Sequence, residues 1–142
     1  MKKLLLISTI LSYQLFALEC TQTQYSPYFT DKKEERYLFA SETELGDRYV
    51  VDKQSIKYDK KDIIKAWVIF KTKSDPQVAY VKVLYEFSIK DVSLRMLQAT
   101  AYNCNGVVLS SGKIDNPVWD LILPGSVLEN TLERIKKQLK VK

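Results

Sequence analysis

The chain contains no histidine, and only two cysteines, four glycines and four prolines among 142 residues. Without histidine the usual neutral-pH general base and the commonest metal ligand are both missing. Acid–base chemistry would fall to carboxylates, lysines or tyrosines, and no nucleophile–base pair stands out to use them. Two cysteines without histidine lack the ligands for a structural zinc or copper site. The reading is therefore no catalytic set, no metal and no cofactor. Scarce glycine and proline also exclude a low-complexity or collagen-like chain. Excess charge of one sign is modest: 22 lysines and arginines face 17 acidic residues, a net charge of +5. That mixed balance does not indicate nucleic acid as a partner.

Long hydrophobic runs are absent too. The one apolar stretch, Leu4 to Leu11, follows a basic Met1-Lys2-Lys3 start and is interrupted by Ser8-Thr9. Leu15-Phe16-Ala17 then offers a cleavage point. This is the layout of a secretory signal peptide over residues 1–17, too short for a spanning helix. The competing reading is an uncleaved anchor. Glu19 stands immediately before Cys20, where lipoprotein processing wants a small residue, so a mature chain without a lipid anchor is expected. Residues 18–142 then make one domain of ordinary size.

Export places Cys20 and Cys104 in an oxidising compartment, periplasmic or at the cell surface. One disulfide is the first reading; two free thiols or a metal pair are the alternatives. If formed, the bridge would close a very long loop, worth roughly 3–5 kcal/mol in the chain-entropy picture.

What is present is β-pattern. Ile64, Ala66, Val68 and Phe70 alternate with Ile63, Lys65, Trp67 and Ile69 until Ser74-Asp75-Pro76 breaks the run. Ala79, Val81, Val83, Tyr85, Phe87 and Ile89 then share one face of a half-buried antiparallel strand. Lys90-Asp91 turns the chain into Val92–Tyr102, and Asn105-Gly106 turns it into Val107-Val108-Leu109. Upstream, Tyr37–Ala40 and Arg48–Val51 read as a strand pair around Leu45-Gly46-Asp47. Asp52–Ile56 reads as one helical turn and Lys57–Asp62 as a charged linker. Tyr25, Tyr28 and Phe29 belong to a polar, aromatic arm whose expected role is packing. Trp67 and Trp119 are expected to serve packing rather than a ligand groove. Glu86 is expected in a surface pair with Lys82 or Lys90.

After an irregular apolar stretch, Ser126 and Glu129 form a capping-box pattern. Leu128, Leu132, Ile135 and Leu139 make one helical stripe, with Lys136 expected on the opposite face. The expected class is α+β: an antiparallel sheet of about six strands with one C-terminal helix on its apolar face.

Three segments together resemble the bacterial surface-adhesin protein E family. They are Tyr49-Val50-Val51-Asp52 with Ser55-Ile56 and Ala66-Trp67-Val68; Tyr85-Glu86-Phe87 with Leu94-Arg95-Met96-Leu97, Tyr102 and Gly106; and Trp119, Ile122 and Pro124-Gly125-Ser126-Val127. The likeness spans about Arg48 to Leu139 and rests on order and spacing. Many members carry a cysteine where Ser88 stands and another near the end of the last helix; both are missing here. The resemblance implies an exported, non-enzymatic binding module whose partners are host matrix or serum proteins such as laminin, vitronectin or plasminogen. It also gives the end of the chain a meaning: Lys140 and Lys142, with the terminal carboxylate, match what a kringle lysine-binding site accepts. The alternatives are a periplasmic structural or inhibitory partner protein and, further off, a carboxylate-dependent enzyme.

Overall fold

The computed structural model describes residues 36–59, 61–71 and 75–142. The signal segment, Cys20 and the arm with Tyr25, Tyr28 and Phe29 lie outside these residues. The described chain forms eight strands: β1 (Tyr37–Glu42), β2 (Arg48–Asp52), β3 (Lys57–Tyr58), β4 (Ile63–Lys71), β5 (Tyr80–Ser88), β6 (Ser93–Tyr102), β7 (Val108–Lys113) and β8 (Asp120–Leu121). One helix, α1 (Val127–Leu139), follows. All pairings are antiparallel, and six strands run in the order β1-β2-β4-β5-β6-β7, with β3 added to β4 and β8 to β6. The expected sheet-plus-helix architecture is therefore what the chain adopts.

Period-two alternation becomes a core because the register aligns the apolar positions. Val51, Val68, Val83 and Ala99 are successive cross-strand partners on one face. Ile64, Phe87 and Leu94 form a second such row. Leu132 and Ile135 of α1 close over this face, and Ile64, Val68, Phe87 and Ile135 are fully buried. The helix packs mainly on β1 and β2, where Asn130 Nδ2 donates to Ser41 Oγ at 3.3 Å.

The helix begins as its capping pattern requires. Glu129 N–H donates to Ser126 Oγ at 3.2 Å, while the Glu129 carboxylate accepts from Gly125 N–H at 2.6 Å, one residue earlier than the ordinary box. At the other end Lys140 turns left-handed (φ 57°), and its N–H and that of Val141 satisfy the last carbonyls.

Several local expectations are corrected. Lys57–Tyr58 is a short strand on β4 rather than linker, held by Asp59 N–H donating to the Ile63 carbonyl. β7 continues through Ser111 and Gly112 to Lys113, and the irregular stretch contains β8. Lys136 is not opposite the stripe. Four residues advance a helix by about 400°, which sets it some 40° from Leu132, and its side chain is only 20% exposed. Ala79 lies before β5 and packs with Tyr80, Tyr37, Val50 and Ile69 in a second buried cluster away from the helix. The sheet thus buries apolar side chains on part of its second face as well.

Candidate functional site

The face of the sheet opposite α1 carries two adjacent cross-strand rows at the β5–β6 turn end. Ile63, Ser88, Ser93 and Leu121 are successive partners across β4, β5, β6 and β8. Two residues further in, Lys65, Glu86 and Arg95 are likewise partners. Side chains two apart share a face, so the rows lie side by side.

The inner row is an ion-paired ladder. Arg95 Nε donates to Glu86 Oε2 at 2.6 Å, and Lys65 Nζ stands 3.5 Å from Glu86 Oε1. Glu86 is therefore paired across strands, as expected, but with Lys65 and Arg95 rather than Lys82 or Lys90. Residues four apart in a strand are about 13 Å apart, whereas cross-strand neighbours are about 5 Å apart. The Arg95 guanidinium also lies 4.7 Å from the centre of the Trp119 ring. An arginine held by a carboxylate on one side and an indole on the other fixes the ring's position.

Trp119 is not core. It is 38% exposed and lines an open groove of about 390 Å³ with the outer row and Asp91. Asp91 comes from the β5–β6 turn. Ser88 Oγ donates to Asp91 Oδ2 at 3.1 Å, and the Asp91 N–H donates back to Ser88 Oγ at 3.2 Å. Ser88 and Ser93 are buried at the groove floor. Asp62 (φ 59°) and Val92 (φ 47°) both adopt left-handed backbone at this end of the sheet. For a β-branched residue such as Val92 that conformation is strained. Each carbonyl is used: Asp62 accepts from Ile89 N–H and Val92 from Ile122 N–H.

A second, wider depression of about 760 Å³ lies between β1 and α1, bordered by Phe39, Glu42, Asn130, Glu133, Arg134 and Lys137. Elsewhere Tyr80 and Tyr102 stack at 4.7 Å with Lys82 Nζ 5.3 Å from the Tyr102 ring. Burial pushes the Tyr85 phenol up to about 12, with Tyr49 adding to it. Tyr49 is raised by burial and then by Asp47. Tyr58 is raised first by donating to Asp62 Oδ1 at 2.9 Å. None of these lies in the groove.

Of the residues singled out from sequence, Lys140 and Lys142 are exposed and Cys104 is half-buried at the margin of the second cluster. No described cysteine is free, and Cys20 lies outside the described residues. Neither lysine nor Cys104 lines the groove. Among the described residues there is no metal-ligand cluster and no helix long and apolar enough to cross a membrane. Glu86 and Asp91 are the carboxylates that the enzyme alternative would use, but nothing in the sequence joins Asp91 to Ser88 and Ser93 beyond Asp91 following Ser88 by three, the spacing of the hydrogen bond they make. The chain matches no protein-family description and no curated protein.

Proposed function

We propose that the protein is an exported, non-enzymatic binding module of the bacterial cell envelope that engages a protein partner. One observation carries this reading. In the segment that carries Trp119, Val118, Leu121 and Leu123 are 71%, 76% and 70% exposed, and Val92, whose carbonyl accepts from Ile122 N–H, is 45% exposed. Several large exposed apolar side chains within one short segment are what an interaction surface presents. The signal-peptide pattern of residues 1–17 supports export, and the resemblance to the surface-adhesin protein E family supports a host matrix or serum protein as partner. Cys20 and Cys104 pair in the oxidised protein on this reading, in keeping with the two-cysteine composition of an exported chain.

Residence on the outer surface is tested by protease shaving of intact cells. Loss of the protein from unpermeabilised cells supports the adhesin reading, and protection until the outer membrane is opened supports a periplasmic one. A periplasmic partner protein is the second reading. It is favoured by β7, an edge strand whose six residues are all exposed and which offers a sheet edge for strand addition. For the terminal lysines, plasminogen binding is measured by surface plasmon resonance with the mature chain and with one lacking Val141-Lys142. Binding abolished by ε-aminocaproic acid and by truncation supports a kringle-directed end; binding that survives truncation rules it out.

A further inference from the structure

We infer that the segment ahead of β1, residues 21–35, crosses the sheet face opposite α1 as a strap and covers the cluster of Tyr37, Val50, Ile69 and Tyr80. The inference rests on the Cys20–Cys104 pairing for the start of the strap and adds where the segment goes. The first observation is burial without a visible cover. Val50, Ile69 and Tyr80 are 4%, 2% and 7% exposed, yet they stand on a single layer of sheet, where Val50 and Ile69 are cross-strand partners. Among the described residues, the only α-helix closes the other face, every strand lies within the sheet, and residues 75–77 of the β4–β5 turn are exposed. Large side chains standing on one layer keep an open tip unless a second layer packs on them.

The second observation is the course of that burial. Tyr37, Val50, Ile69, Tyr80, Tyr102 and Cys104 form one cluster, and the register makes it a diagonal. Tyr37 stands opposite Asp52, two residues from Val50. Ile69, the partner of Val50, has Lys82 as its next partner. Tyr80, two residues from Lys82, faces Tyr102, and Cys104 lies two residues beyond. Away from this line the same face opens: Phe39 is 37% exposed, and Trp67 and Leu84 are half-buried.

The ends of the diagonal are the two points that hold the segment, Arg36 before β1 and Cys104 in the β6–β7 turn. β1 and β6 are four strand spacings apart and the shifts add six residues along the strands, a separation of roughly 28 Å. Residues 21–35 reach about 50 Å when extended, so they span it with slack, and α1 closes a path over the other face. Tyr25, Tyr28 and Phe29 fall in the middle of the segment, where the diagonal passes over Val50, Ile69 and Tyr80. Large aromatic side chains bury the area that such a stripe needs covered. None of Tyr37, Tyr80, Lys82 and Cys104 lacks an interaction partner.

The test uses the oxidised, mature full-length chain with labelled isoleucine and valine methyls. NOEs from the rings of Tyr25, Tyr28 or Phe29 to the Val50 and Ile69 methyls are expected, with none to Ile64 or Ile135 on the helix side. Substituting Tyr25→Ser, Tyr28→Ser and Phe29→Ser together should move the Val50 and Ile69 signals and leave those of Ile64 and Ile135 in place. Fluorescence of the dye ANS should rise severalfold as the apolar cluster is uncovered. Unmoved Val50 and Ile69 signals in that variant, or ring NOEs only to other residues, overturn the proposal. So do filtered NOEs at Val50 and Ile69 in a mixture of labelled and unlabelled chains, which would make a second copy the cover. If the variant does not fold, the NOEs of the native chain decide alone. Alkylation separates the strap from its fastening. A bridged protein without these NOEs overturns the strap and leaves the pairing, whereas free thiols with the NOEs present keep the cover and overturn the bridge as its anchor.

Discussion

At the scale of single residues, the energetics concentrate at a few positions. Leu132 is 2% exposed and Ile135 fully buried between α1 and the sheet. Leu132→Ala should cost roughly 2–4 kcal/mol in urea unfolding, the range for a buried leucine that leaves a cavity. Gln138→Ala, at an exposed position of the same helix, should stay within about 0.5 kcal/mol. Comparable small losses at both sites would mean that the helix face is not buried. Val92 works in the opposite direction. Its side chain is 45% exposed and its φ is 47°, a left-handed backbone that is strained for a β-branched residue. Val92→Gly should raise stability by about 0.5–1 kcal/mol, because glycine adopts this conformation without a Cβ clash. Destabilisation instead would show that Val92 contributes packing that outweighs its backbone strain.

At the scale of elements, β5 holds the molecule together, and its chemistry sets a pH limit. It lies between β4 and β6 and sends Val83, Tyr85 and Phe87 into the helix-side core and Glu86 into the ion-paired row. The folded Tyr85 phenol is raised from 10.0 to about 12, first by burial and then by Tyr49. A raised folded value means that the native state holds this proton more tightly than the unfolded chain. The associated stability is fully present below about pH 10 and is lost as pH rises through about 12. Two pH units correspond to about 2–3 kcal/mol. Denaturant midpoints should therefore fall between pH 10 and 12 in the native sequence and fall less in Tyr85→Phe. Identical profiles would show that Tyr85 does not carry the alkaline transition. Helix α1 was the element most readable from sequence, because its cap and stripe are local: Ser126 with Glu129, and leucines at helical spacing. Lys136 is charged yet sits beside Leu132, because angular position on the helix and not residue type sets which face a side chain joins.

At the scale of the whole molecule, the Cys20–Cys104 proposal makes a simple prediction. Non-reduced mature protein should have a mass about two units below that of the dithiol and take up no alkylating reagent. Two alkylatable thiols in material isolated from the periplasm would overturn it. The sequence by itself determined the class of fold, the strand faces of β4 and β5 and the start of α1. These follow from periodicity and capping, which act between residues a few positions apart. Only the tertiary structure decided the groove. Ile63, Ser88, Ser93 and Leu121 lie on four strands, and cross-strand register alone makes them neighbours. The partners of Glu86 are not legible for the same reason: Lys82 and Lys90 stand four residues away along the chain, while the close contacts run perpendicular to the strand to residues distant in sequence. Trp119 read as core because large aromatics usually bury. It remains half-exposed because β8 aligns it beside Arg95 on the sheet face away from the helix, where no described element packs over the ring.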